Sequence, residues 1–92
     1  MTFTWNERKH QTNIRKHGLS FSIANELFDA PMITDLDDRF DYGEDRWVGI
    51  GRLYSRILVI VFATPDDETI RVISLRKALS HERKRYAEFF GN

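Results

Sequence analysis

Along the chain, apolar positions first repeat every second residue, then every third or fourth, then every second again, and the elements follow from those periods. Phe3 and Trp5 flank Thr4, which predicts a short strand over residues 2–5 with one buried side. Asn6 is a suitable N-cap, Glu7 stands in the first turn, and no Pro or Gly intervenes before Gly18, which directly follows Lys16-His17, so a helix is expected over 7–17. Ile14 is the only large aliphatic residue of that helix, and His10, Ile14 and His17 at i, i+4 and i+7 are its expected inward stripe. Ser20 or Ser22 caps a second helix whose apolar face is Phe21, Ala24, Leu27 and Phe28, ending near Asp29-Ala30-Pro31. The two helices make a hairpin through Gly18.

Beyond Pro31 the period changes. Met32, Ile33 and Leu36 predict a strand, and Asp35 to Asp45 a charged loop. Three strands follow: Arg46 to Leu53, where Arg46, Val48, Ile50 and Arg52 alternate with Trp47, Gly49, Gly51 and Leu53; Ile57 to Phe62, apolar on both faces; and Thr69 to Arg76, where Ile70, Val72, Ser74 and Arg76 alternate with Arg71, Ile73 and Leu75. Short connections, Tyr54-Ser55-Arg56 and Pro65 to Glu68, predict an antiparallel meander with the middle strand central. Gly49-Ile50-Gly51 within a strand marks a bulge or close packing. A last helix is expected from about Ser80 to Phe90, with Leu79, Tyr86, Phe89 and Phe90 on one face and Lys84 and Arg85 in water. The expected class is two-layer α+β: an N-terminal strand, a helical hairpin, an antiparallel sheet and a C-terminal helix.

Ninety-two residues, 41% of them hydrophobic, make one globular domain over 1–92. The chain has no cysteine, which excludes disulfides and thiolate chemistry. Its N-terminus lacks the apolar run of a signal peptide and no segment is long enough to span a bilayer, so a soluble cytoplasmic protein is expected. The net charge is zero, but it is segregated: Glu26 to Asp45 carries eight acids and one base, Arg46 to Arg56 three bases and no acid, and Ile70 to Tyr86 six of the fourteen Lys and Arg residues against the single acid Glu82. A neutral total therefore hides a basic face.

The junction of the last strand and the last helix is where chemistry is expected. Arg52 and Arg76 end alternating strands and can share a sheet face with Ser74 between them; two planar guanidinium forks suit a phosphate, unless they are solvated or pair with the acids of the 35–45 loop. Glu82 and Tyr86 are four apart on the helix with Arg83 beside them. Tyr86 is a candidate general acid, a stacking surface or core, and Glu82 a base or an orienter of Arg76 or Arg83. His17, just before Gly18, sits where the helix dipole favours a positive charge, either to act on a substrate or only to satisfy carbonyls. No HxxxH or HExxH spacing is present, so no metal site is expected, and phosphate-loop and nucleophile-elbow patterns are absent.

Taken together, Phe3-Thr4-Trp5, Lys16-His17-Gly18-Leu19-Ser20-Phe21, Asp45-Arg46-Trp47 with Gly51, and Arg71 to Ala78 with Glu82-Arg83 and Tyr86 resemble the BrnT family of bacterial toxins, in order and over nearly the whole chain. Asn6 stands where that family usually shows Asp, and Leu75 where a small residue is common. The resemblance implies a RelE-like fold and the ribonuclease toxin of a type II toxin–antitoxin pair that inhibits translation. It implies a BrnA-like antitoxin partner in a hetero-oligomer, with operator DNA contacted through the antitoxin. Carried over by position, the family's pattern points to His17, Arg46, Arg76, Glu82, Arg83 and Tyr86, with Arg52 and Lys77 as neighbouring basic candidates; the expected catalytic set is Arg76, Arg83, Tyr86, Glu82, His17 and Arg52 and the expected RNA contacts are Arg46, Arg71, Lys77 and Lys16, with no cofactor.

The implied reaction is metal-independent attack of a ribose 2′-hydroxyl on the adjacent phosphorus, leaving a cyclic phosphate. It requires a proton acceptor, a donor for the 5′-oxygen, and cations around the phosphorane. Arg76 with Arg52 or Arg83 can supply the cations, Tyr86 or His17 the donor, and Glu82 or a lysine the acceptor. The rival from another class is a non-catalytic module that grips RNA or an acidic partner with the same surface.

Overall fold

The computed structural model describes residues 1–91. In order it contains β1 (Thr2–Trp5), α1 (Glu7–His17), a short 3-10 turn (Phe21–Ile23) leading into α2 (Ala24–Phe28), β2 (Met32–Leu36), β3 (Arg46–Leu53), β4 (Arg56–Asp66), β5 (Thr69–Lys77) and α3 (Ser80–Phe90). The class is α+β. The strands form one sheet in the order β1-β5-β4-β3-β2, with the expected meander from β2 to β5 and β4 at its centre. β1 departs from the antiparallel expectation: it lies parallel to β5, Phe3 opposite Ile70 and Trp5 opposite Val72. That register turns all four apolar side chains under the helices.

α1 begins and ends where its caps say it should. Asn6 accepts a hydrogen bond from the Lys9 amide, and Gly18 adopts the left-handed φ of 68° that closes the helix on the Ile14 carbonyl. The main core lies between α1–α2 and one sheet face, where Leu19, Phe21, Ala24 and Leu27 meet Leu58, Ile60, Phe62, Ile70, Val72 and Leu75. A smaller cluster, Ile33, Ile50, Val59, Ala78 and Tyr86, fills the opposite face under α3, so helix covers part of the second face as well. Gly49 and Gly51 serve close packing: a Cβ on Gly49 would stand 2.5 Å from the Met32 sulfur, and one on Gly51 3.0 Å from Leu27 Cδ1.

Three expectations are corrected here. Of the expected inward stripe of α1, only His10 packs, stacked on Phe21 with its Nε2 3.0 Å from Ser20 Oγ. Ile14 is 38% exposed and His17 is exposed; the buried residue is Asn13. Its Nδ2 donates to the carbonyls of Leu75 and Leu19, both at 2.9 Å, and its Oδ1 accepts from the Leu75 amide at 3.0 Å. Second, of the four apolar residues expected on one face of the last helix, only Tyr86 is buried, while Leu79, Phe89 and Phe90 are exposed, because α3 crosses only the corner of the sheet at Ile33, Ile50 and Val59.

The third correction concerns β5. Val61 pairs with Ser74 but Phe62 pairs with Val72, which leaves Ile73 as the extra residue of a β-bulge. The bulge resets the alternation. Ile70, Val72 and Leu75 all reach the main core, whereas Arg71, Ser74 and Arg76 share the other face, an arrangement that strict period-two spacing forbids.

Asn13→Ala should cost about 2–4 kcal/mol in urea unfolding, because it leaves the buried amide and carbonyl of Leu75 without partners. Ile14→Ala, which removes the aliphatic residue of the expected stripe, should cost under about 1 kcal/mol.

Candidate active site

The β5–α3 junction is built on one carboxylate. Glu82 receives Arg76 through both terminal nitrogens, Nη1 at 2.8 Å and Nη2 at 2.9 Å, and also accepts the Leu79 amide at 2.8 Å, which caps α3. Arg76 Nη1 donates in addition to the Lys77 carbonyl at 3.2 Å. The Arg76 pairing, with the Leu79 amide, holds the Glu82 carboxyl far below its ordinary 4.5, at about 2, and Glu82 in turn raises Arg76. A carboxylate this acidic is a weak proton acceptor at neutral pH, so the geometry makes Glu82 the orienter of Arg76. An arginine has five donors. The three bonds to Glu82 and Lys77 leave Nε–H and one Nη2–H free along the other edge of the guanidinium.

Arg76 also lines a trough of about 390 Å³ together with Lys16, His17, Lys77 and Leu79. α1 delivers Lys16 and His17 because the Gly18 cap ends the helix there, and β5 delivers Arg76 and Lys77 because the bulge has turned Arg76 out of the core. Four of the ten residues singled out in the sequence thus come together from opposite ends of the chain. The charged lining is wholly cationic, and among the described residues no group of three or more His, Cys, Asp or Glu side chains converges on a possible metal position.

The other six lie outside this trough. Tyr86 is a core residue, 4% exposed, with its hydroxyl donating to the Pro31 carbonyl at 3.0 Å, so its proton points at main chain rather than at an open site. Arg52 shares the face of Arg76 as expected, but its guanidinium lies 5.9 Å from the Tyr86 ring, whereas Arg76 is held by Glu82 one turn earlier in α3. Arg83 braces the turn into α3, donating to the Ala78 carbonyl at 2.7 Å and to Ser80 Oγ at 3.1 Å. Arg46 and Arg71 converge on Glu44 from the acidic loop, and Arg46 also lies 4.1 Å over the Tyr42 ring. The loop therefore offsets part of the charge at that end of the face. Sequence reasoning missed Asn13, which positions α1 against β5; its spacing of three from His10 on a helix with almost no aliphatic residues was the available signal.

The family model described as ribonuclease toxin, BrnT, of type II toxin-antitoxin system matches residues 5–82. Among solved structures, the crystal structure of the Brucella abortus ribonuclease toxin BrnT is 33% identical, covers 87% of this chain and 99% of its own, and superimposes with a TM-score of 0.68. No curated protein matches. The matched segment takes in the four trough residues and ends on Glu82, so Arg83 and Tyr86 lie beyond it.

Because the folded Glu82 value lies below the unfolded one, its stabilisation is complete above about pH 4.5 and is lost as pH falls toward 2. In urea unfolding, Glu82→Gln should be less stable than the parent by about 1–2 kcal/mol at pH 7, allowing for solvent screening of the partly exposed Arg76. That gap should close between pH 4.5 and 2.

Proposed function

The chain belongs to the BrnT family of ribonuclease toxins of type II toxin–antitoxin systems, and on that premise we propose that it cleaves RNA in the trough of Lys16, His17, Arg76 and Lys77 by metal-independent transesterification. The observation that carries the proposal is the guanidinium of Arg76, clamped by Glu82 with two of its donors unused, in the lining of the cationic trough. A preoriented fork of this kind binds a phosphate bidentately, and its remaining donors are in place before the extra charge of a phosphorane develops.

In the proposed reaction the ribose 2′-oxygen forms a bond to the adjacent phosphorus as its proton passes to an acceptor. The bond from phosphorus to the 5′-oxygen breaks, and that oxygen takes a proton. The products are a 2′,3′-cyclic phosphate and a 5′-hydroxyl. Arg76 and Lys77 stabilise the pentacoordinate phosphorus, and Lys16 neutralises a neighbouring phosphate. The exposed imidazole of His17 exchanges the protons, since this side chain type both accepts and donates near neutrality. Glu82 keeps Arg76 in position. A divalent cation would call for carboxylate oxygens, and the lining of the trough is cationic.

Such cleavage stops translation, and we place it in the cytoplasm, where its substrate is; no helix among the described residues is long and apolar enough to cross a membrane. The family carries an antitoxin protein with it. We propose a BrnA-like antitoxin that covers the cationic trough in a hetero-oligomer and contacts operator DNA with its own domain, while residues 1–92 act as a single toxin domain.

Purified chain incubated with RNA and excess chelator should release fragments ending in cyclic phosphate. Arg76→Ala should lower the rate at least about a hundredfold, and His17→Ala by about 10²–10⁴, with circular dichroism showing that both variants fold. Full activity in folded Arg76→Ala would overturn the assignment. Tight RNA binding without products in the parent protein would make the chain a binding module instead.

A further inference from the structure

The trough does not end at His17. A second cavity of about 280 Å³, lined by Arg8, Lys9, Thr12, Lys16, His17 and Ile73 over Asn13 and Ser74, shares Lys16 and His17 with the first, so the two form one channel along α1. Arg8, Lys9, Thr12 and Lys16 follow i, i+1, i+4 and i+8 spacing and line one flank of the helix. Glu7, the only acid of α1, is about 2.5 turns from Lys16 and so on the opposite flank, where it is engaged by Trp5, His10 and Gln11.

Arg39, Arg46, Arg71, Arg76 and Arg85 each pair with an acid, whereas Arg8, Lys9, Lys16 and Lys77 form no ion pair among the described residues, and neither do Arg15, Arg52, Arg56, Arg83 and Lys84 outside these two cavities. What marks the flank is that its unpaired cations line adjoining cavities whose linings include no Asp or Glu, so positive charge is concentrated there in a molecule of zero net charge. The channel floor includes the partly buried Ile73, displaced by the bulge, which offers an apolar surface to a base.

We infer that this flank of α1 is a track for single-stranded RNA leading into the cleavage trough: Arg8, Lys9 and Lys16 contact successive phosphates and Thr12 a phosphate or sugar oxygen. The inference rests on the ribonuclease reading of the trough. Arg8 to Lys16 spans about 12 Å at 1.5 Å per residue, which matches about three to four nucleotides at the 3.4 Å rise of a stacked strand. The contacts are to backbone, so the track reads no sequence and adds affinity on one side of the scissile bond.

The test uses the full chain, a fluorescent single-stranded RNA whose 2′-hydroxyls are methylated against cleavage, and anisotropy titrations over a range of salt. Arg8→Ala/Lys9→Ala should weaken binding about tenfold and flatten the slope of log affinity against log salt by about 1.4, two phosphates at about 0.7 each. It should also raise KM for a long cleavable RNA. Lys84→Ala, the loss of one charge on the exposed side of α3, should leave affinity and slope at the parent values. An unchanged slope in the double variant, with the parent cleaving normally, overturns the track and leaves the ribonuclease reading standing. A parent that neither binds nor cleaves RNA overturns both. Loss of affinity for an acidic antitoxin peptide with RNA binding intact would assign the flank to a protein contact and also overturn the track.

Discussion

The side-chain amide of Asn13 does for β5 what another strand would do. β1 stops at Trp5, opposite Val72, so the outer edge of β5 beyond that point has no strand to pair with. Leu75 lies on this edge with its side chain in the core, and its amide and carbonyl are both taken by Asn13. Buried main-chain groups left unpaired are costly, and Asn13 removes that cost while tying α1 to the sheet. A helix docked through one amide needs little apolar surface, which is why α1 is polar almost throughout. Beside that amide, side chains of α1 and the β5 residues Ile73 and Ser74 line the basic channel.

Acidic side chains then divide the cationic face into two regimes. Glu44 reaches across from the loop before β3 and pairs with Arg46 and Arg71 together, so one carboxylate offsets part of the charge at that end of the face. Glu82 takes both terminal nitrogens of Arg76, whose side chain also lines the trough. The same type of ion pair thus ties two arginines to one loop carboxylate and holds the third beside the trough, where two of its donors stay unused.

Much of this was legible in the sequence because it depends on local signals. The limits of α1 follow from Asn6 and Gly18, the meander from alternation and short turns, and the basic character of the β5–α3 junction from charge counting. Lys16, His17, Arg76 and Lys77 were all named from the chain and do meet. The rest depends on choices that period and propensity do not encode. A buried asparagine is invisible to a search for apolar stripes, so Ile14 seemed to face inward in place of Asn13. The bulge at Ile73 breaks the alternation on which the facing of Ser74 and Arg76 was judged, and the parallel seat of β1 is settled by a strand more than sixty residues away in the sequence. Tyr86 is four residues from Glu82, as a functional pair requires, but its hydroxyl is committed to Pro31, a contact across the molecule that spacing cannot foresee.

The bulge has one more consequence. Deleting Ile73 from the written order leaves Ile70, Val72 and Leu75 alternating strictly with Arg71, Ser74 and Arg76, so between Val72 and Ser74 β5 holds one residue more than its pairing with β4 consumes. That surplus residue lies against the channel and not in the main core. The width and apolar character of the channel floor can therefore vary with the identity, or even the presence, of a single side chain, while the register of the sheet and the aim of Arg76 stay as they are. The shape of the channel and the fold are carried by different residues of the same strand.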